Sequence, residues 1–204
     1  MSEIHRTGRA RSAVAAAAVL ALVGGGLFAA SPANAATSVT DNFEGNPYQR
    51  WTTEQVRGSS SVEFPDFGAT QSGVYALLID AYPPSVHSGR AYRSVTLDRP
   101  IGGASWCYAA AFVLRPAVLI VRNGELDELR PEKPSVTLQI RSGGRTGPSL
   151  SGTTYELPAR QTAWRAETFA SFAYQSGPLT VDITARSGQV LVDDVKVWCA
   201  LTPR

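Results

Sequence analysis

Two adjacent carboxylates, Asp193 and Asp194, interrupt a mostly apolar strand-like run, Val190–Cys199, written V-L-V-D-D-V-K-V-W-C. On a pleated strand alternate side chains share a face. Leu191, Asp193, Val195, Val197 and Cys199 then fall on one side, and Val190, Val192, Asp194, Lys196 and Trp198 on the other. The first set is apolar apart from Asp193. An ionised carboxylate on a core-facing strand is costly unless it is paired or holds a metal, so Asp193 needs a partner. The same alternation keeps the two aspartates from acting as a catalytic pair. A glycosidase needs two carboxyl groups facing each other across a cleft, and neighbours on a strand point apart.

Other residues able to do chemistry are sparse. Of the two histidines, His5 lies in a basic N-terminal segment and His87 in a turn-rich loop between Val86 and Ser88. No G-x-S-x-G elbow, metal-hydrolase spacing or phosphate-cradling glycine loop accompanies His87. Glu125, Asp127 and Glu128 form an acidic stretch whose simplest reading is a solvated loop. Cys107 and Cys199 both lie in strand-like runs, and in an exported chain such a pair reads as a disulfide. Closing a loop of that length is worth about 4 kcal/mol by chain entropy. The alternative is two free buried thiols; no C-x-x-C or Cys/His cluster suggests a metal or redox site.

Export itself is read from the first 35 residues. Arg6, Arg9 and Arg11 precede an Ala/Leu/Val/Gly-rich stretch, residues 13–30, and Ala33-Asn34-Ala35 fits the small-x-small cleavage pattern. Residues 1–35 are therefore expected to be a secretory signal peptide and 36–204 the mature chain. A membrane span is the alternative, but the Gly24-Gly25-Gly26 triplet and the many alanines make the run weakly hydrophobic. Three of the 19 basic and one of the 17 acidic residues lie in the signal, leaving 16 of each. A mature chain near neutrality without a basic block does not favour nucleic acid or an anionic membrane as partner. The protein is expected outside the cell, without stable membrane insertion, and as a monomer.

Strands must position these residues. Val39–Glu44, Val62–Phe64, Val74–Asp80, Ala91–Leu97, Ser105–Leu114, Val136–Arg141, Thr153–Leu157, Trp164–Phe172, Leu179–Ala185 and Val190–Trp198 read as strands. Pro83-Pro84, Asp98-Arg99-Pro100, Gly102-Gly103, Ser142-Gly143-Gly144, Ser176-Gly177-Pro178 and Ser187-Gly188 supply turns between them. Val136, Leu138 and Ile140 oppose Thr137, Gln139 and Arg141, and Leu179, Val181 and Ile183 oppose Thr180, Asp182 and Thr184. Gly124–Arg130, bounded by Pro131 and Pro134, reads as a loop insertion. Short strands without an amphipathic helix predict an all-β fold, a β-sandwich jelly roll of two antiparallel sheets in one domain.

A resemblance sharpens this. Asp41-Asn42-Phe43-Glu44, Trp51 shortly after, Gly73-Val74-Tyr75-Ala76-Leu77, Cys107, Trp164 and the closing Gly188-Gln189-Val190-Leu191-Val192-Asp193-Asp194-Val195 follow one another in an order that resembles the carbohydrate-binding-module jelly rolls of the galactose-binding-domain-like group. The resemblance covers nearly the whole mature chain and implies that the first and last strands lie together beside a structural calcium ion. Glu44 matches the family's F-E glutamate and Asp193 the aspartate of its closing strand, both hard oxygen donors of the kind calcium takes. Asp41 is a third candidate ligand. Alternatively, Asp193 caps a turn or pairs with an arginine, and Glu44 is solvated.

For a glycan the useful feature is an outward aromatic row beside polar groups, because flat rings stack on pyranoses while donors and acceptors fix the hydroxyls. With Cys107 turned inward, Trp106, Tyr108 and Phe112 face out; with Val95 and Leu97 inward, so do Tyr92, Ser94 and Thr96. Tyr92, Trp106 and Tyr108 are therefore the candidate carbohydrate-binding residues, with Gln139 and Arg141 as polar partners and Tyr82 and His87 as a rim. Packing alone also draws aromatics to strands, and Trp51, Trp164 and Trp198 read as core or staple residues. The expected function is a secreted, non-catalytic protein that binds a polysaccharide or cell-surface glycan, stabilised by calcium and one disulfide. The alternatives are a cell-envelope structural or interaction protein of the same fold without a sugar site, and a small polysaccharide-degrading enzyme, which would need His87, a tyrosine and a carboxylate or arginine in one groove.

Overall fold

Alternating apolar and polar residues become thirteen β-strands among the described residues. The computed structural model describes residues 35–58, 60–66, 70–81, 87–97, 105–116, 119–122, 125–128, 133–158, 161 and 163–201. Residues 1–34 of the expected signal peptide, Tyr82, and the turns at Pro83-Pro84, Asp98-Arg99-Pro100 and Gly102-Gly103 lie outside the described residues, while Ala35 opens the first strand. The strands all belong to the unit Pro32–Arg204.

One sheet has five strands in the order β10 (Ser149–Glu156), β9 (Ser135–Ser142), β12 (Pro178–Arg186), β5 (Ser88–Thr96), β2 (Thr52–Arg57). The other has six: β11 (Arg165–Tyr174), β6 (Ser105–Leu114), β13 (Gly188–Leu201), β4 (Leu77–Ala81) and β3 (Ser61–Glu63), with β1 (Ala35–Asp41) also paired to β13. All pairings are antiparallel. The inner faces meet in one core that includes Leu138, Ile140, Val181 and Ile183 of the first sheet and Ala109, Val113, Val190 and Val197 of the second. This is the jelly-roll β-sandwich read from the alternation.

Three corrections follow from the chain's own chemistry. Thr52–Arg57 is a strand, at the sheet edge, although both of its faces are polar and show no apolar alternation. The expected loop insertion instead contains β8 (Glu125–Glu128), paired with β7 (Leu119–Arg122) as a separate two-stranded ribbon. Leu191 does not share a face with Val195, Val197 and Cys199. The pairing of β13 with β6 shifts between Asp193 and Lys196, a β-bulge with Asp194 at φ 46°. The bulge exchanges the faces, so Val190 and Val192 join Val195, Val197 and Cys199 in the core. Leu191 packs instead with Ala76 and Leu78 in a small outer cluster, against Leu114 and Trp164.

The bulge also marks a change of partner. Residues Gly188–Val192 of β13 pair with β4, and Val195–Ala200 with β1. The first strand therefore lies beside the last, as the family resemblance implies. Cys107 and Cys199 stand directly opposite each other on β6 and β13 and form the disulfide, buried in the core.

Candidate functional site

The outward side of the five-stranded sheet is polar and tightly bonded. Its central strand β12 turns Thr180 and Asp182 outward, yet both are buried, Asp182 at 4% exposure. What covers them comes from the flanking strands. Arg90 of β5 donates to both Asp182 oxygens, at 2.6 and 2.5 Å, and Arg141 of β9 adds a third bond at 3.2 Å. Arg141 also donates to Gln139 at 2.5 Å and to the Gly147 carbonyl at 3.2 Å, while Gln139 donates to Ser149 at 2.7 Å. Two guanidiniums on one carboxylate allow Asp182 to be ionised and buried without an unmet charge.

Tyr92 lies next to Asp182 across the β5–β12 pairing. Its hydroxyl donates to Glu54 of β2 at 3.3 Å. Arg90 and Arg145 stand over its ring, 5.1 and 5.7 Å from the centroid. Arg145 also pairs with Glu54 at 2.7 Å. It is carried by the turn between β9 and β10, which is held down by bonds from Thr180 Oγ1 to the Gly143 carbonyl and from the Ser142 amide to the Pro148 carbonyl. Gly147 is required in that turn: a Cβ there would lie 1.8 Å from the Ser142 carbonyl oxygen. An open cleft of about 360 Å³ adjoins this face at its β2 edge, lined by Glu54, Gln55, Val62 and Glu63 among others.

The five residues expected to bind carbohydrate divide between the two sheets. Tyr92, Gln139 and Arg141 converge on the face just described. Trp106 and Tyr108 lie on β6, turned away from the core on the outer side of the other sheet. Trp106 is 43% exposed, and Tyr108 stacks on Trp198 with ring centroids 5.5 Å apart, under the Lys196 amino group. Arg90, Asp182, Glu54 and Arg145 were not singled out from sequence. Asp182 carried a signal: a carboxylate in the middle of an outward polar row needs cations on the strands that flank it. His87 is packed on Gly58, too close for any side chain there.

Two of the three calcium candidates, Asp193 and Glu44, bond one loop, residues 70–75, before β4. Asp193, fully buried, accepts the amides of Gln71 and Ser72 at 2.9 and 3.1 Å and that of Asp194 at 2.7 Å. Ser72 donates its hydroxyl to Asp194 at 2.7 Å, and Glu44 Oε1 accepts the amides of Val74 and Tyr75 at 2.6 and 2.9 Å. The partner switch of β13 explains the convergence, since Glu44 follows β1 and the loop precedes β4. Burial, with the neighbouring Asp194 charge, pushes Asp193 up to about 7 against the pull of its amide bonds. The amides of Tyr75 and Val74 hold Glu44 below the ordinary range. Asp194 is raised by burial.

Asp41 stands apart, in an arginine network. It accepts from Arg50 at 3.1 and 3.2 Å, from the Trp51 indole at 3.0 Å and from the Phe43 amide at 2.8 Å, and it pairs with Arg93. Burial opposes its ionisation, but Arg50, the Phe43 amide, Trp51 and the Arg93 charge together hold it below the ordinary carboxylate value.

No protein-family model matches this chain, and no curated protein matches it in sequence. Solved structures do. A family 61 carbohydrate-binding module in complex with β-1,4-galactotriose superposes with a TM-score of 0.51 at 13% identity, covering 78% of this chain and 94% of the module. An arabinose-bound α-L-arabinofuranosidase superposes with a TM-score of 0.52 at 9% identity, covering 83% of this chain but 27% of the enzyme. At such identities the likeness concerns architecture: the chain folds as a jelly-roll sandwich of the carbohydrate-binding-module kind.

Proposed function

We propose that this chain is an exported, non-catalytic polysaccharide-binding protein whose ligand lies on the outward face of the five-stranded sheet. The observation that carries the reading is the convergence of Tyr92, Gln139 and Arg141 on one face around buried Asp182. Fixed side-chain donors and acceptors beside an aromatic ring suit sugar hydroxyls, and bonds already formed among them limit the entropy lost on binding. A lectin role asks for no nucleophile or general acid. Asp182, its oxygens held by two arginines, serves to position Arg90 and Arg141.

Calcium belongs to this proposal as a structural ion beside Glu44 and Asp193. The donors suit it in type: hard carboxylate oxygens at one loop, one of them buried with its ionisation opposed by burial. Among the described residues no group of three or more His, Cys, Asp or Glu is gathered as a metal cluster. Glu44 and Asp193 would therefore share the ion with carbonyls and water, and Asp41, taken up by Arg50 and Arg93, would not join them. When bound, the ion would neutralise the carboxylates that hold the 70–75 loop.

One observation favours a second reading, an envelope interaction protein of this fold without a sugar site. Among the described residues the five-stranded face presents one aromatic ring, Tyr92, among charges, and two guanidiniums already stand over it. Affinity electrophoresis of the mature protein through gels containing soluble galactan, xylan or arabinan separates the two. Retardation by at least one polymer that disappears in Arg141→Ala, with folding intact, supports the lectin. Free migration through every gel supports the interaction protein.

A further inference from the structure

We propose that the five-stranded face selects an acidic polysaccharide, one whose uronate carboxylates dock on the arginines around Tyr92. This rests on the polysaccharide-binding reading and names the ligand class for that same site. Three guanidiniums (Arg90, Arg141 and Arg145) meet two carboxylates (Glu54 and Asp182) at the centre of this face. The set keeps one positive charge in excess. Asp182 is consumed by Arg90 and Arg141 and buried beneath them, so the excess appears at the surface, next to Tyr92.

Arg145, beside that excess, is the most exposed of the three cations. Its side chain is half exposed, with a single ion pair, to Glu54, among the described residues. A guanidinium offers five donors in a planar fork that matches a carboxylate. A neutral pyranose gains most from a bare ring face, whereas here both Arg90 and Arg145 stand over Tyr92. A uronate supplies what this arrangement lacks, a third anion for the three guanidiniums, while its hydroxyls reach Gln139 and Ser149. Because the turn carrying Arg145 is fixed by Thr180 and Gly147, the charge is held in place before the ligand arrives.

The test uses polygalacturonate, alginate and glucuronoxylan, each paired with its own carboxyl-reduced form, titrated into the mature protein by calorimetry at low and moderate salt. The expected result is that at least one acidic polymer binds about tenfold more tightly than its reduced form, with the gap narrowing as salt rises. Arg145→Gln, checked for an unchanged melting temperature, should narrow the same gap. Binding with equal affinity for each acidic polymer and its reduced form overturns the charge selection and leaves polysaccharide binding standing. A gap untouched by Arg145→Gln overturns the role of Arg145. No binding to any polymer, with neutral galactan and xylan included, overturns this inference and the reading beneath it.

Discussion

Asp193 and Asp41 are both buried carboxylates, yet their environments drive their titration in opposite directions. Asp193 is held mainly by backbone amides, and burial lifts it to about 7. Its folded value therefore exceeds its unfolded one, so folding takes up a proton between pH 4 and 7. In chelator, stability should fall as pH rises through that window, and Asp193→Asn should flatten the fall. Urea midpoints at pH 5 and pH 8 check this; equal midpoints for the native chain would contradict it. Asp41 has the opposite sign. Its arginines depress it, so its contribution is present above the ordinary carboxylate value and is lost as acid protonates it. Asp41→Ala leaves Arg93 without its buried counter-charge and should cost about 3 kcal/mol in denaturant unfolding at neutral pH. A loss within experimental error would contradict the pairing. The sequence showed that Asp193 needed a partner and left three candidates open. It could not show that Asp41 has Arg50 and Arg93 beside it, because those contacts span 9 and 52 residues.

At the scale of elements, β13 organises the six-stranded sheet because its bulge lets it serve two partners along one edge, β4 and then β1. The 70–75 loop is pinned to that bulge through Asp193, Asp194 and Glu44. Gly73 makes this fit, with φ 68° and Glu44 Oε1 2.2 Å from where its Cβ would stand. Gly73→Ala should cost about 1–3 kcal/mol and free the loop, seen as faster hydrogen exchange at Gln71, Ser72, Val74 and Tyr75. Exchange unchanged at those amides would contradict the clamp. Replacing both cysteines by alanine should lower stability by about 2–4 kcal/mol, measured by thermal and urea unfolding. Strands with clean alternation, such as Ser135–Ser142 and Pro178–Arg186, were legible because one face enters the core. Thr52–Arg57 was not, since an edge strand with two polar faces has no periodic signal. The inward set of β13 was misread on the N-terminal side of the bulge, since one inserted residue reverses every face beyond it.

For the whole molecule, alternation tells which side of its own strand a residue takes but not which sheet the strand joins. Tyr92, Gln139 and Arg141 came together because β5, β12 and β9 are neighbours, a fact of topology. Trp106 and Tyr108 shared the outward label and belong to the other sheet. The sandwich therefore has two distinct outward surfaces, one polar and arginine-rich, one bearing the Tyr108–Trp198 stack beside exposed Trp106. The most direct measurement is an NMR titration of the mature protein with soluble galactan, xylan and polygalacturonate oligosaccharides, followed at backbone and side-chain amides. The account predicts that at least one of them shifts Gln139, Tyr92, Asp182 and their neighbours on β9, β5 and β12. Shifts confined to Trp106, Tyr108 and Trp198, or no shifts with any oligosaccharide, would contradict it.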